Sequence, residues 1–414
     1  MKPPWKEGDS TRMFTPMETR LVAVLALLSC VSPAAAQRAA SSPPPPPPPG
    51  WSAFVRTFDA FAAGDSVVGG SVLVLRDGRV LAHHEYGFAD RALGQRVDER
   101  TIFHWASITK TLTAVAVMQL RDRGRLSLDD RVTRYLPELA QVHDSFGAIG
   151  DITLRMLLSH SAGFQDPTWP YKAGKPWEPF EPARWEQLVA MMPYQEILFR
   201  PGTRYGYSNP AFIYLARIIE QLTGDPYQSY IYKNIWTPLG MTRSYFGATP
   251  YHLAAARANN YTLLRDSAGR VSLVANGRDF DPGITIPNGG WNAPLGDVAR
   301  WVAFLTGSSG GDTVLARASL EEMWRPPLLA TRDSTAPGDS VGLSFFVLWR
   351  GGGGGARFIG HTGHQAGFRS FFYLNPRTRG AVIAAFNTTN EADDDKSEQG
   401  FRAVRDAALE LILR

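Results

Sequence analysis

The sequence predicts a mixed α/β fold of the α+β class: an antiparallel sheet flanked by helices, with a mainly helical subdomain inserted. Strand-like segments lie near both ends of the chain, whereas residues 125–240 between them have a mainly helical pattern. The chain has 414 residues, of which 44% are hydrophobic, so it is long enough for one large domain with an insertion. Both ends of the chain must then contribute strands to one sheet.

A helix and a hairpin are predicted at the start of the folded region. Aromatic residues recur at helical spacing between Phe54 and Phe61. Ser71–Leu75 and Val80–Ala82 are rich in Val and Leu, and the Asp-Gly pair between them favours a tight turn. These two segments are therefore expected to pair as a β-hairpin.

Helices follow in the middle of the chain, and strands return near its end. Residues 107–124, 212–222 and 297–305 carry apolar residues at three- and four-residue steps, which predicts helices. Near the C-terminus, β-rich segments separated by Gly, Asn and Pro predict strands. These predicted strands are Leu343–Trp349, Ala356–Gly360, Phe368–Leu374 and Ala381–Phe386. A final helix is predicted over Asp393–Leu413.

The N-terminus predicts export. Residues 21–28 are apolar, Arg20 precedes them, and Ala34–Ala36 offer a small-residue cleavage site. A signal peptide is therefore predicted over residues 1–36, with Met17 as an alternative start that shortens the polar region before it. The apolar segment is too short for a permanent membrane anchor. We expect an exported protein, periplasmic or secreted.

Cys30 is the only cysteine and lies within this segment. After cleavage the protein has neither a disulfide nor a cysteine nucleophile. In a second interpretation, residues 27–30 form a lipobox and a lipid on Cys30 tethers the protein to a membrane. Residues 37–50 include seven consecutive prolines and are predicted to be a polyproline linker. The folded domain is expected over residues 51–414.

Ser107 and Lys110 form the first candidate catalytic pair. Ser107 lies at the predicted start of a helix, where free backbone N–H groups favour developing negative charge. Lys110 is three residues on, so its side chain shares a helix face with the hydroxyl. Burial disfavours the charged form of a lysine, which would allow Lys110 to help remove the serine proton. A plain helix cap with an exposed lysine is the alternative.

Two further segments add groups suited to the same chemistry. Tyr207 can accept a proton and return it to a leaving group, and Asn209 offers an amide to bind substrate and hold Lys110. His361-Thr362-Gly363 follows a predicted strand, and the lack of bulk at Gly363 would let a substrate backbone lie against that edge. Taken singly, each has a structural explanation, but the ordered set favours a catalytic site.

The ordered set resembles the serine β-lactamase and penicillin-binding-protein superfamily. Ser-x-x-Lys, then Tyr-x-Asn, then His- or Lys-Thr-Gly on a late strand is its pattern, and the spacing is similar to the class C β-lactamase-related branch with its esterases and D-aminopeptidase-like enzymes. Flanking runs resemble that branch as well: Leu157–Gly163, Pro201–Thr203 and Gly367–Ser370. The resemblance covers about residues 51–414 and implies a β-lactamase/transpeptidase-like fold.

The resemblance implies an acyl-enzyme mechanism. Ser107 attacks a carbonyl, Lys110 and Tyr207 move the proton, and the backbone N–H groups of Ser107 and His364 form the oxyanion hole. It implies no metal and no cofactor. The expected partner is a small-molecule or peptide substrate. The alternatives within this family are a class C-type β-lactamase, a DD-carboxypeptidase, and a sensor that is acylated but does not turn over.

One position departs from the β-lactamase pattern. Lysine is usual where this chain has His361, and it faces the substrate carboxylate. Histidine is largely neutral at pH 7, so we favour an ester or amide hydrolase over a true β-lactamase. Arg369 could supply the missing charge from the neighbouring strand; a surface salt bridge is the alternative role.

Three other function classes find little support. Residues 338–342 match Gly-x-Ser-x-Gly, but no strand precedes them and no acidic residue separates Ser340 from the last histidine. His83-His84-Glu85 and His361-x-x-His364 are not recognised metal-ligand spacings. The net charge is +4, yet no basic run with interleaved aromatic residues occurs, so nucleic-acid binding is not expected.

Overall fold

Paired segments from the two ends of the chain form the central sheet, as the sequence predicts. The computed structural model describes residues 45–165, 182–279, 281–309, 314–326, 339–350 and 355–413. They belong to one compact unit, Pro45–Arg414. The predicted signal peptide with Cys30 and residues 37–44 of the linker lie outside the described residues, so these predictions stay predictions.

The strands and helices of the described residues are numbered in chain order. The strands are β1 (Gly69–Arg76), β2 (Arg79–Asp90), β3 (Gln95–Arg96), β4 (Ile102–His104), β5 (Tyr245–Phe246), β6 (Asn260–Arg265), β7 (Val271–Gly277), β8 (Trp291–Pro294), β9 (Ser340–Val341), β10 (Phe346–Arg350), β11 (Ala356–Gln365), β12 (Phe368–Asn375), β13 (Gly380–Phe386) and β14 (Thr388–Asn390). The helices are α1 (Trp51–Gly64), α2 (Thr109–Asp122), α3 (Leu154–Leu158), α4 (Trp185–Met191), α5 (Pro210–Thr223), α6 (Tyr227–Ile231), α7 (Thr237–Leu239), α8 (Ile286–Gly289), α9 (Leu295–Leu305), α10 (Arg317–Met323) and α11 (Asp394–Glu410).

The large sheet joins the first strands to the last ones. Within the described part of the chain, its eight strands run in the order β3-β2-β1-β13-β12-β11-β10-β9, and neighbouring strands are antiparallel. β1 pairs with β13 along its length, from Gly70 opposite Phe386 to Arg76 opposite Gly380. The antiparallel sheet with helices on its faces confirms the predicted fold class.

Helices cover both faces of this sheet, which explains why β12 and β13 are buried throughout. On one face α1 and α11 pack together, with Phe58, Phe386 and Phe401 in their shared core. On the other face lies the larger core, to which α2 and α9 contribute Leu112 and Trp301. The active-site segments come from this second layer.

Several boundaries differ from the sequence prediction. The predicted hairpin, α5, α9 and α11 are present, but β11 continues past Gly360 to Gln365 because β12 pairs with it over that whole length. Ser107 lies in a short 3₁₀ turn, Ala106–Ile108, and the α-helix begins at Thr109. The β6–β7 hairpin and the small sheet β4-β8-β5 were not predicted. No helix among the described residues is long and apolar enough to span a membrane.

Candidate active site

Ser107 projects from the 3₁₀ turn between β4 and α2. Its side chain is partly exposed, whereas the residues on either side of it are buried. Ala106 has φ 48°, in the left-handed region that costs free energy for a residue with a Cβ. Strain is therefore held immediately before the serine, and the packed neighbours keep its hydroxyl at the surface of the turn.

Lys110 is fully buried one helical turn from Ser107. Its Nζ donates hydrogen bonds to Ser107 Oγ at 3.2 Å and to Asn209 Oδ1 at 2.8 Å. A third hydrogen bond, also 2.8 Å, goes to the main-chain carbonyl of Asn288. Three oxygen acceptors match the three N–H donors of an ammonium group. The predicted contact between Lys110 and both side chains is confirmed.

Tyr207 and Asn209 reach this lysine from the start of α5. Pro210 occupies the first helical position, which ends the preceding loop at Asn209. The Asn209 amide oxygen also accepts a hydrogen bond from Asn288 Nδ2 at 3.1 Å. Lys110 Nζ lies 4.8 Å from the centroid of the Tyr207 ring. Two segments distant in sequence thus meet at one ammonium group.

His361 enters the site from β11 as a neutral imidazole. It is 1% exposed, and its Nδ1 donates a hydrogen bond to the Thr362 carbonyl at 2.5 Å. Burial, together with the positive charge of Lys110, lowers the pKa of His361 to about 3. No positive charge is therefore present at this position near pH 7, as the sequence predicts.

Gly363 makes room for protein, which corrects the sequence-based reason for its small size. A Cβ at this position would lie 2.2 Å from the Trp105 carbonyl oxygen and 2.5 Å from Ser370 Oγ. Ser370 Oγ in turn donates a hydrogen bond to the Trp105 carbonyl at 3.2 Å. The missing side chain at Gly363 was expected to make room for substrate. Instead, it allows β11 to pack closely against the turn that carries Ser107.

Among the described residues, no strand pairs with the edge of β11 next to this turn. β10 pairs with β11 only over residues 356–360, so residues 361–365 have no partner in β10. An open edge of this kind can pair with an extended substrate. Thr362 and His364 alternate with His361 along the strand and line a cavity of about 320 Å³ with residues of α11. Their side chains therefore lie on the other face of the sheet from His361.

Arg369 does not replace the missing charge. Its Nη1 donates a hydrogen bond to Ser397 Oγ at 2.9 Å, its Nη2 forms an ion pair with Glu398, and its guanidinium lies 4.7 Å from the Phe401 ring centroid. The side chain is 5% exposed. The salt bridge expected as the alternative role is therefore present, with its arginine buried and the Glu398 side chain 36% exposed.

Two contributors to the site were not assigned from the sequence. Asn288 acts on Lys110 through its main-chain carbonyl, for which no side-chain pattern exists. His160 stacks on Tyr207 with ring centroids 4.4 Å apart. It belongs to the Leu157–Gly163 run, and the histidine in that run was the one sequence feature that could have pointed to it.

Ser340, the serine of the Gly-x-Ser-x-Gly match, lies in the two-residue strand β9. No cluster of three potential metal ligands occurs among the described residues.

Known proteins support the assignment that the geometry suggests. Residues 54–407 match the sequence model of the β-lactamase family. Penicillin-binding protein 4* of Bacillus subtilis is 32% identical over 359 residues, which cover 83% of this chain and 72% of that protein. Esterase EstB of Burkholderia gladioli is 30% identical over 254 residues, which cover 56% of this chain and 64% of the esterase.

The fold also has a close counterpart among solved structures. D-amino acid amidase from Ochrobactrum anthropi SV3 superposes with a TM-score of 0.68 at 21% identity, covering 87% of this chain and 98% of the amidase. At that identity the likeness concerns the fold. Since the family match spans most of the folded region and the serine–lysine pair lies within it, the chain belongs to the β-lactamase family and is a serine hydrolase.

Proposed function

We propose that this protein cleaves carboxylic esters and amides, D-amino-acid amides and peptides among them, through an acyl-enzyme on Ser107. The observation that carries this proposal is the buried Lys110 ammonium, whose Nζ is bonded to Ser107 Oγ and Asn209 Oδ1 and lies over the Tyr207 ring. The names of an esterase and an amidase among the similar proteins support the same bond types.

The hydrogen bonds of Lys110 support Tyr207 as the proton acceptor. Three oxygen acceptors surround Nζ, so Lys110 keeps its protons and acts as a fixed positive charge. In the reactive form of the site, Tyr207 is then the deprotonated group. Ser107 Oγ gives its proton to the Tyr207 oxygen and attacks the carbonyl carbon. Tyr207 then donates that proton to the leaving group as its bond breaks. Water releases the acid by the same route in reverse.

The tetrahedral intermediate needs donors for its oxyanion. The backbone N–H groups of Ser107 and His364 are the proposed pair, and the close packing of β11 on the serine turn supports this assignment. An extended substrate would lie along the open edge of β11 beside Ser107. Peptide-like and simple ester substrates both fit such an edge.

The neutral His361 sets the preference among substrates. A β-lactam or a peptidoglycan stem presents a carboxylate, which a permanent cation binds better than a neutral imidazole. We therefore place uncharged esters and amides ahead of β-lactamase and DD-carboxypeptidase activity.

Export belongs to the same proposal. A signal peptide over residues 1–36 and a polyproline linker over residues 37–50 would deliver the hydrolase to the periplasm or the medium. N-terminal sequencing and intact mass of protein recovered from each compartment test this. A start at Gln37 supports cleavage, a lipid mass on Cys30 supports a lipoprotein, and uncleaved protein confined to the cytoplasm contradicts export.

A substrate panel tests the catalytic proposal. Wild type, Ser107→Ala and Ser340→Ala are assayed with p-nitrophenyl butyrate, D-phenylalanine p-nitroanilide and nitrocefin. Mass spectrometry locates the adduct of a fluorophosphonate probe. We expect ester or amide turnover and a Ser107 adduct in wild type, loss of both in Ser107→Ala, and no change in Ser340→Ala, which removes the hydroxyl of the Gly-x-Ser-x-Gly match.

Three other outcomes would redirect the assignment. A Ser107 adduct without turnover of any substrate favours the acyl-binding sensor. Nitrocefin hydrolysis faster than ester hydrolysis favours the β-lactamase. Full activity in Ser107→Ala rules out the acyl-enzyme on this residue.

A further inference from the structure

His160 is a buried histidine beside the site that the proposed reaction uses neither as an acid nor as a base. Its side chain is 1% exposed, and its backbone has φ 54°, a left-handed conformation that few non-glycine residues adopt. Burial, together with the positive charge of Lys110, holds its pKa well below the usual range of histidine. Such a residue persists only where its surroundings enforce it, so its contacts indicate its role.

His160 contacts three successive residues of the loop that carries Tyr207. Its carbonyl accepts a hydrogen bond from the Gly206 N–H at 2.8 Å, and its Nδ1 accepts one from the Ser208 N–H at 3.1 Å. Between these two bonds its imidazole stacks on the Tyr207 ring, with centroids 4.4 Å apart and planes inclined by 23°. One side chain and its own carbonyl thus fix the backbone on both sides of Tyr207 and the plane of its ring.

The loop depends on this support because residues 198–208 form neither a helix nor a strand. The residues after His160 hold its earlier part: the carbonyls of Ser161 and Gly163 accept hydrogen bonds from Gly202 and Leu198, each at 2.8 Å. At the end of the loop, His160 contacts the residue bearing the phenol and the backbone on both sides of it. Loss of the His160 side chain would therefore remove contacts at Tyr207 while the hydrogen bonds of the earlier part of the loop remain.

We propose that His160 is a positioning residue that orients Tyr207 for proton transfer to and from Ser107. This inference rests on the proposed function of Tyr207 given above. Proton transfer requires hydrogen-bond distance between the two oxygens, and a displacement of about 1 Å can cost on the order of a hundredfold in rate. His160 acts on the reaction only through the orientation of the tyrosine.

Two substitutions separate the contacts of His160. His160→Asn keeps a side-chain acceptor for the Ser208 N–H and tolerates a left-handed φ, but it removes the ring that stacks on Tyr207. His160→Phe keeps an aromatic ring but leaves the buried Ser208 N–H without its acceptor. We expect the asparagine variant to remain folded and lose about tenfold in kcat with little change in KM. We expect the phenylalanine variant to lose more in Tm and less in kcat per folded molecule.

A double-mutant cycle with Tyr207→Phe provides the decisive measurement. The kcat for p-nitrophenyl butyrate and the rate of fluorophosphonate labelling of Ser107 are measured for wild type, each single variant and the double variant. His84→Asn serves as the matched control. His84 lies in β2 and contacts Asp59 of α1, the helix on the face of the sheet opposite the active-site layer. If His160 acts through the tyrosine hydroxyl, His160→Asn changes both rates by less than about twofold once that hydroxyl is gone.

Two results would overturn the inference: the same loss from His160→Asn with and without the Tyr207 hydroxyl, or no loss in the wild-type background. Either result would leave the proposed function intact, provided that wild type turns over through Ser107. If wild type shows no turnover, the proposed function fails by itself. The cycle measured on labelling rates then still decides the role of His160.

Discussion

Lys110 connects more of the site than any other side chain described above, because its Nζ bonds Ser107, Asn209 and the carbonyl of Asn288. A buried ammonium with a full set of acceptors keeps its position without help from solvent. The geometry around this one atom therefore determines where the serine hydroxyl and the Asn209 amide lie relative to each other.

Lys110→Met should lower kcat/KM for p-nitrophenyl butyrate by about 10²- to 10³-fold, the range for loss of one electrostatic stabilising group, because Ser107 and Tyr207 lose the fixed positive charge beside them. The fold should persist because Asn209 and Asn288 remain bonded to each other. Lys233→Met, in an exposed lysine paired with Asp225, is the control and should keep full activity. A Lys110→Met rate within tenfold of wild type, in folded protein, would remove Lys110 from the mechanism.

His361→Lys should shift the preference toward substrates that carry a carboxylate. A charge-assisted hydrogen bond contributes about 1.5–3 kcal/mol, so kcat/KM for nitrocefin should rise tenfold or more relative to that for the ester. A second buried cation near Lys110 should also lower Tm. His143→Lys, in an exposed histidine, is the control. An unchanged ratio of the two substrates would show that His361 does not select against the carboxylate.

For single residues, the sequence indicates those that act through their side chains but not those that act through their main-chain groups. Ser107, Lys110, Tyr207 and Asn209 could be identified because residue type and spacing carry their chemistry. Asn288 could not, because any residue offers the same carbonyl. Thr362 and His364 were assigned to the site by motif, but strand alternation places their side chains on the other face.

Among the elements, β11 tolerates little added bulk where it packs against the serine turn. A Cβ at Gly363 would clash with backbone, the Trp105 carbonyl at 2.2 Å, which cannot move without moving the serine turn. The sequence suggested an end of this strand near Gly360, because the polar residues that follow lack an apolar alternation. Pairing with the buried β12 extends the strand to Gln365, and that long-range contact has no local signal.

Gly363→Ala should therefore destabilise the protein by about 1–3 kcal/mol, as other overpacked sites do, and reduce ester turnover in the molecules that remain folded. Urea unfolding and the assay at matched folded fractions measure the two effects. Gly296→Ala, in α9 with open space around the added methyl, should be neutral or stabilise by about 0.5–1 kcal/mol. Equal stability of the two variants would contradict the close contact between β11 and the serine turn.

For the whole molecule, buried histidines link stability to pH. Burial is the main reason why the pKa values of His104 and His361 are each about 3 in the folded protein, against 6.5 as the ordinary value. Between these values the unfolded chain binds protons that the folded protein does not. The free energy of unfolding should therefore fall as pH is lowered from about 6.5 toward 3, by roughly 1 kcal/mol per pH unit for each histidine.

Urea unfolding of wild type and His104→Gln between pH 7 and pH 4.5 checks this dependence. The variant should show a shallower decline, by roughly 1 kcal/mol per pH unit, whatever its stability at pH 7. His143→Gln, in an exposed histidine, should decline as wild type does. Parallel curves for His104→Gln and wild type would show that His104 is protonated in the folded protein as well.

The overall architecture was predictable because the strand-like hydrophobic segments at both chain ends could be buried together only in one shared sheet. The order of its strands was not, since pairing partners hundreds of residues apart leave no local pattern. The contact between the Val68 N–H and Thr388 Oγ1 joins residues 320 positions apart. The many short helical turns of the middle segment follow tertiary packing and not periodicity.

The long sequence separation between β1 and β13 also determines how long β1 waits for its partner during translation. At about 5–20 residues per second, a ribosome needs on the order of 15–60 s to deliver β13 after β1 has emerged. Throughout that interval the nascent chain presents the apolar β1 with one edge unpaired, a template for association with other chains. We therefore expect newly synthesised molecules to need protection from association until β13 is delivered, and a truncated product lacking residues 380–414 to leave β1 without this partner.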